Sequence, residues 1–109
     1  MTYTHTIISG EHMITQVFKY RKLYINIVGT TYSINVPFYG NNTYLAMDPD
    51  GRLHTYDVKP VFNTEKQYYE VSPENTYDLV AQYEGNTSNL YTNIIEIVDK
   101  QYEYTFTEY

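Results

Sequence analysis

The 109-residue sequence contains no cysteine and no tryptophan, only five glycines and four prolines, and far fewer basic than acidic side chains. Without cysteine there are no disulfides, no thiolate nucleophile and no thiolate metal site. Five scattered glycines leave no phosphate-cradling loop, no Gly-x-Ser-x-Gly elbow and no dinucleotide fingerprint. Seven Lys and Arg against thirteen Asp and Glu give a net charge of −6. Nonspecific binding to a phosphate backbone is therefore disfavoured, because cations supply that affinity. No window reaches the length of a membrane span, and the N-terminus lacks a basic segment followed by an apolar run. The expectation is an intracellular protein that binds neither nucleic acid directly nor a membrane.

What the chain does have is tyrosine. Fifteen Tyr and four Phe bring the aromatic share to 17%, within a hydrophobic content of 42%. That is enough to pack one globular domain, here residues 1–109. Tyrosine suits half-buried strand positions and contact surfaces alike. The pattern predicts a mainly β (α+β) fold: one antiparallel sheet of consecutive hairpins, with one short helix near 73–84.

The most legible element is residues 44–60, two alternating runs flanking Asp48-Pro49-Asp50-Gly51. Pro49 sets φ at the second turn position and Gly51 accepts a positive φ. Tyr44, Ala46 and Asp48 share one side of the first run. Lys59-Pro60 ends the second, because proline cannot donate to a ladder. Residues 2–8 read as an opening strand, turned at Ser9-Gly10-Glu11 into a second strand over 12–21. The spacing of Met13, Ile14, Val17 and Phe18 would also allow a helix there. Leu23–Val28 and Thr31–Val36 form a hairpin through Gly29-Thr30, and 37–42 a loop. Residues 67–71 make a short strand. Ser72-Pro73-Glu74 carries an N-cap, a proline at N1 and an acid in the first turn, which predicts the helix stopped by Gly85. Leu90–Val98 and Gln101–Thr107 read as two further strands around Asp99-Lys100.

No residue set specifies a reaction. His5, His12 and His54 lack metal-ligand neighbours at useful spacing. Asp48, Asp50 and Gly51 echo a calcium loop but lack its closing glutamate, so Asp48, Asp50 and His54 are read as turn and surface residues. The expectation is a non-enzymatic protein with no cofactor and no metal.

Residues 44–60, followed by Tyr68-Tyr69, resemble a pattern met in small phage-encoded accessory and anti-defence proteins. There an apolar strand ending in Ala-x-Asp leads to an Asp-Gly turn, a strand with an aromatic, Lys-Pro and then a further aromatic. That aromatic is usually Trp, where this chain has Tyr. The resemblance implies a phage or mobile-element protein in the bacterial cytoplasm, of a class that includes anti-CRISPR and anti-restriction inhibitors.

Charge is unevenly spread. Residues 1–64 hold five basic and four acidic side chains, with Lys19, Arg21 and Lys22 clustered, whereas 65–109 hold two and nine. The acidic, tyrosine-bearing segment is therefore the expected partner surface, through Glu65, Tyr68, Tyr69, Glu70, Glu74, Tyr77, Asp78 and Glu84. Its expected partner is a host protein, a basic nucleic-acid-binding enzyme whose site it would occlude. The alternatives are a virion or assembly protein that self-associates through strand edges, as a homodimer for instance, and a sponge for a nucleotide signal held by residues 19–22.

Overall fold

A computed structural model of the chain describes residues 2–9, 12–37 and 43–108, with side chains from residue 20 onward. The side chains of His5, His12 and Lys19, the turn at Gly10 and the loop 38–42 lie outside the described residues. The described residues form ten strands: β1 (Thr2–Ser9), β2 (His12–Ile27), β3 (Thr30–Pro37), β4 (Thr43–Met47), β5 (Arg52–Tyr56), β6 (Val61–Asn63), β7 (Tyr68–Glu70), β8 (Tyr77–Gln82), β9 (Ile94–Ile97) and β10 (Glu103–Phe106). The mainly β class is as expected.

Two sheets face each other. In the first, the second half of β2 pairs with β3 (Tyr20↔Pro37 to Ile27↔Thr30) and, in parallel, with β10 (Glu103↔Tyr24 to Phe106↔Ile27). The second runs β8-β5-β4-β9, all antiparallel. Period-two alternation turns Leu23, Ile25, Ile27, Val36, Tyr104 and Phe106 of the first sheet toward Leu45, Met47, Leu53 and Ile97 of the second. Together with Leu90 these form the main core. Arg21 is also buried, its guanidinium 4.4 Å from the Tyr102 ring centroid and donating to the Gln101 carbonyl.

The hairpin of residues 44–60 is the centre of the second sheet, and it is covered on both faces. Opposite the main core, β6 and β7 form a two-stranded lid that lays Phe62 and Tyr69 over Ala46 and Tyr56. This double coverage explains why β4 and β5 are buried along nearly their whole length. The turn itself is a tight loop: Gly51 N donates to the Asp48 carbonyl (2.8 Å) and Asp48 N to the Arg52 carbonyl (2.8 Å). Gly51 sits at φ +89° with Tyr83 against it, as a glycine bulge in a hairpin requires.

Four expectations need correction. Residues 73–84 are not a helix, and no helix occurs among the described residues. Ser72-Pro73-Glu74-Asn75 instead closes a β-turn, with Asn75 N donating to the Ser72 carbonyl (2.9 Å). Proline's fixed φ fits position i+1 of a turn as well as N1 of a helix, so the start signal was shared. The segment after it pairs with β5 in sheet register from Tyr56↔Tyr77 to Arg52↔Gln82, with a bulge. A helix with so narrow an apolar stripe could not have supplied those backbone partners. The last two strands do not form a hairpin either, because β9 joins β4 while β10 crosses to β2. Residues 90–93, expected to open the strand Leu90–Val98, are not strand, and Leu90 N and Tyr91 N both donate to the Thr87 carbonyl. Finally, the β2–β3 turn is centred on Val28-Gly29 (φ +49° and +80°) rather than Gly29-Thr30. No helix of the described residues is long and apolar enough to cross a membrane.

Candidate functional site: a tyrosine-walled cleft over a buried carboxylate

On its lid side, the second sheet aligns side chains across strands. The pairs Tyr77↔Tyr56 and Tyr56↔Tyr44 place three tyrosines in one row across β8, β5 and β4. One step along, Leu79 lies opposite His54 and His54 opposite Ala46. The lid covers Tyr44 and Ala46 but stops short of β8. A cleft of about 530 Å³ remains between the end of β7 and the β5–β8 surface.

Asp48 forms part of its floor. It lies on the Ala46 side of β4, just past the strand end, and is only 5% exposed. Its Oδ1 accepts a hydrogen bond from Tyr69 N at 2.8 Å, which ties the lid strand to the hairpin turn. Its Oδ2 lies 3.4 Å from His54 Nδ1. That contact lacks hydrogen-bond geometry, and His54 Nδ1 has no hydrogen-bond partner. The expectation that Asp48 is a surface turn residue is thus corrected: the turn begins at Asp48, but its side chain points under the lid. Asp50 does lie at the surface, beside Arg52 (3.4 Å).

Three rings wall the cleft. Tyr56 and Tyr77 stack with centroids 6.2 Å apart at 25°, and His54 meets Tyr77 at 5.9 Å and 63°. Burial, and then the nearby Asp48 charge, push the Tyr56 hydroxyl well above its ordinary range; Tyr69 is raised for the same two leading reasons. Both hydroxyls are therefore neutral donors at ordinary pH. Tyr69 uses its own to bond the Tyr91 carbonyl. Around the rim, Asp50 and Glu70 oppose Arg52 and Lys66, and the Lys66 ammonium lies 5.9 Å from the Tyr68 ring centroid. Counting Asp48, the cleft carries three carboxylates against two fixed cations.

Of the eight residues expected from sequence to form the partner surface, four meet here. Tyr77 (61% exposed) and Tyr68 (37%) stand at the rim, Glu70 lines it, and Tyr69 is buried beneath as a structural residue. The other four are exposed but elsewhere. Glu65 belongs to the β6–β7 turn, where its N–H bonds Asn63 Oδ1. Glu74 sits in the 72–75 turn. Asp78 is in β8, one residue on from Tyr77, so alternation sends its side chain away from the cleft. Glu84 borders a separate, apolar pocket of about 420 Å³ between the sheets, lined by Ile25, Ile27, Ile34 and Leu53. Sequence reasoning passed over Asp48, His54 and Tyr56 as parts of a site. The alternation that sets Asp48 beside Ala46 was visible, but the lid that buries both was not.

Comparison with family models, curated proteins and solved structures gives no match.

Proposed function

We propose that the chain is a non-enzymatic binding protein that seats a cationic side chain of a protein partner in the Asp48–Tyr77 cleft. The observation that carries this reading is the pairing of a buried carboxylate with exposed tyrosine faces in one concavity. A guanidinium or ammonium group gains from the negative faces of aromatic rings and from a carboxylate of low solvation. Tyrosines that keep part of their surface exposed are the residue type that anchors interfaces. With Asp48 included, the cleft as a whole has one carboxylate more than it has cations, which favours a positively charged guest.

The partner that fits best is a basic, nucleic-acid-handling enzyme. Residues 65–109 hold nine acids against two bases, which would lie against a Lys/Arg-lined channel and occlude it. The resemblance of residues 44–60 to phage accessory proteins supports an anti-defence role in a bacterial host. The test is a titration of the protein, followed by tyrosine fluorescence, with Lys/Arg-rich peptides and with the same peptides carrying Gln in their place. Binding of the basic peptides alone is expected, weakening as salt rises. Tyr77→Ala and Asp48→Asn should each lower affinity about tenfold, the size of one cation–π or charged hydrogen-bond contact. Equal binding of the two peptide sets would refute the cation reading.

A further inference from the structure

β2 is the longest strand in the molecule, and its company changes halfway along. From Tyr20 to Ile27 it lies in the body, paired with β3 and, from Tyr24, with β10. From His12 to Lys19 it pairs only with β1, in eight successive pairs from Ser9↔His12 to Thr2↔Lys19. Among the described residues no strand pairs with the outer edge of β1. The result is a two-stranded ribbon about 27 Å long at ~3.4 Å per residue. It accounts for the shape of the protein. The principal extents are 55 × 30 × 26 Å and the radius of gyration is 15.5 Å, against about 13 Å for a compact domain of this length.

An isolated two-stranded ribbon is marginal in water, because it needs a third strand or a packed face. Natural edge strands left bare are usually guarded by proline, by charge or by a bulge. β1 has none of these: Thr2–Ser9 contains no Pro, Gly, Asp, Glu, Lys or Arg, and its pairing with β2 runs without a register shift. The sixteen paired residues hold one lysine and no acid, so all thirteen acids lie elsewhere, against six bases.

We infer that β1 is a docking edge for a second copy of this chain, pairing β1 to β1 in antiparallel fashion about a twofold axis. This goes beyond the cleft reading and does not depend on it. An antiparallel edge is complementary to itself under twofold symmetry, so the same eight residues serve both copies. The pairing makes a four-stranded sheet, the smallest extension that gives both ribbons a third neighbour. Charge selects this geometry. Two bodies that each carry most of the negative charge repel, and antiparallel ribbons place them at opposite ends, separated by far more than a Debye length of about 8 Å. The second half of β2 cannot substitute, because β3 and β10 already pair with it.

Sedimentation of the whole protein across a dilution series tests this. The expected species is twice the 12.9 kDa chain mass, persisting or strengthening as salt screens the bodies. Adjacent β1 residues direct their N–H groups to opposite sides, so of Thr4→Pro and His5→Pro one removes only an outward donor. That variant is expected to be monomeric with an unchanged far-ultraviolet spectrum, and hydrogen exchange should show outward amides of β1 protected in the wild type alone. A wild-type protein that is monomeric throughout, or a dimer that survives both substitutions, would overturn the inference.

Discussion

Gly51→Ala separates two physical demands that the central hairpin makes on one residue. The first is conformational: φ is +89°, where an L side chain costs roughly 1–3 kcal/mol. The second is space. A Cβ at Gly51 would fall 2.1 Å from the Tyr83 carbonyl oxygen and 2.8 Å from Gln82 Nε2. The first of these is backbone that cannot swing aside. Tyr83 must retreat, and its N–H would then lose the 2.8 Å bond to the Gly51 carbonyl, a net loss of about 1 kcal/mol. The Gln82 bond to the Asp50 carbonyl (2.8 Å) is strained by the same movement. The total is about 2–4 kcal/mol, or a fall in melting temperature of roughly 10–25 °C for a domain of this size. Gly29→Ala is the control, because φ there is +80° but nothing lies within 4 Å of a Cβ. It should cost only the conformational part, about 1–2 kcal/mol. Urea and thermal unfolding followed by circular dichroism give both values. If Gly51→Ala is no worse than Gly29→Ala, the close approach of Tyr83 is not a constraint and the reasoning fails.

Other positions give further expectations. Val28 is a β-branched residue at φ +49°, exposed in a two-residue turn where Asn is preferred, so Val28→Asn should stabilise the fold by about 1 kcal/mol, seen as a higher urea midpoint. Asn93 is buried, donates to the Leu90 and Thr107 carbonyls (2.8 Å each) and accepts from Thr107 N (3.0 Å); Asn93→Ala should cost about 2–3 kcal/mol in chemical denaturation by orphaning those groups. Tyr56 and Tyr69 have hydroxyls raised above the ordinary 10.0. Raised acids favour the native state fully below the unfolded value, and that stability is lost as pH climbs above 10 toward the folded values. Unfolding midpoints should therefore fall above pH 10, and Tyr56→Phe should flatten that fall. An ultraviolet titration in which all tyrosines ionise together near pH 10 would contradict it.

Part of this protein is written locally. Alternation around Asp-Pro-Asp-Gly specifies a hairpin because turn chemistry and a period of two act within a few residues. The absence of cysteine, of glycine-rich loops and of a basic excess removes whole classes of chemistry by composition alone. Other features depend on residues far apart in sequence. Ser72-Pro73-Glu74 is equally good as a helix start and as a turn, and the β5 edge decided for a strand by offering backbone partners. Tyr68, Tyr69 and Tyr77 are alike on paper; the lid buries Tyr69 against Ala46 and leaves Tyr68 and Tyr77 at the rim of the cleft. Asp48 could be placed beside Ala46 by counting, but its burial needed the amide of Tyr69, twenty-one residues away. The sequence by itself determined the mainly β class, the central turn and the charge; the tertiary structure alone decided which tyrosines face water and which carboxylate does not, because burial is set by what packs across a sheet, and no local pattern carries that information.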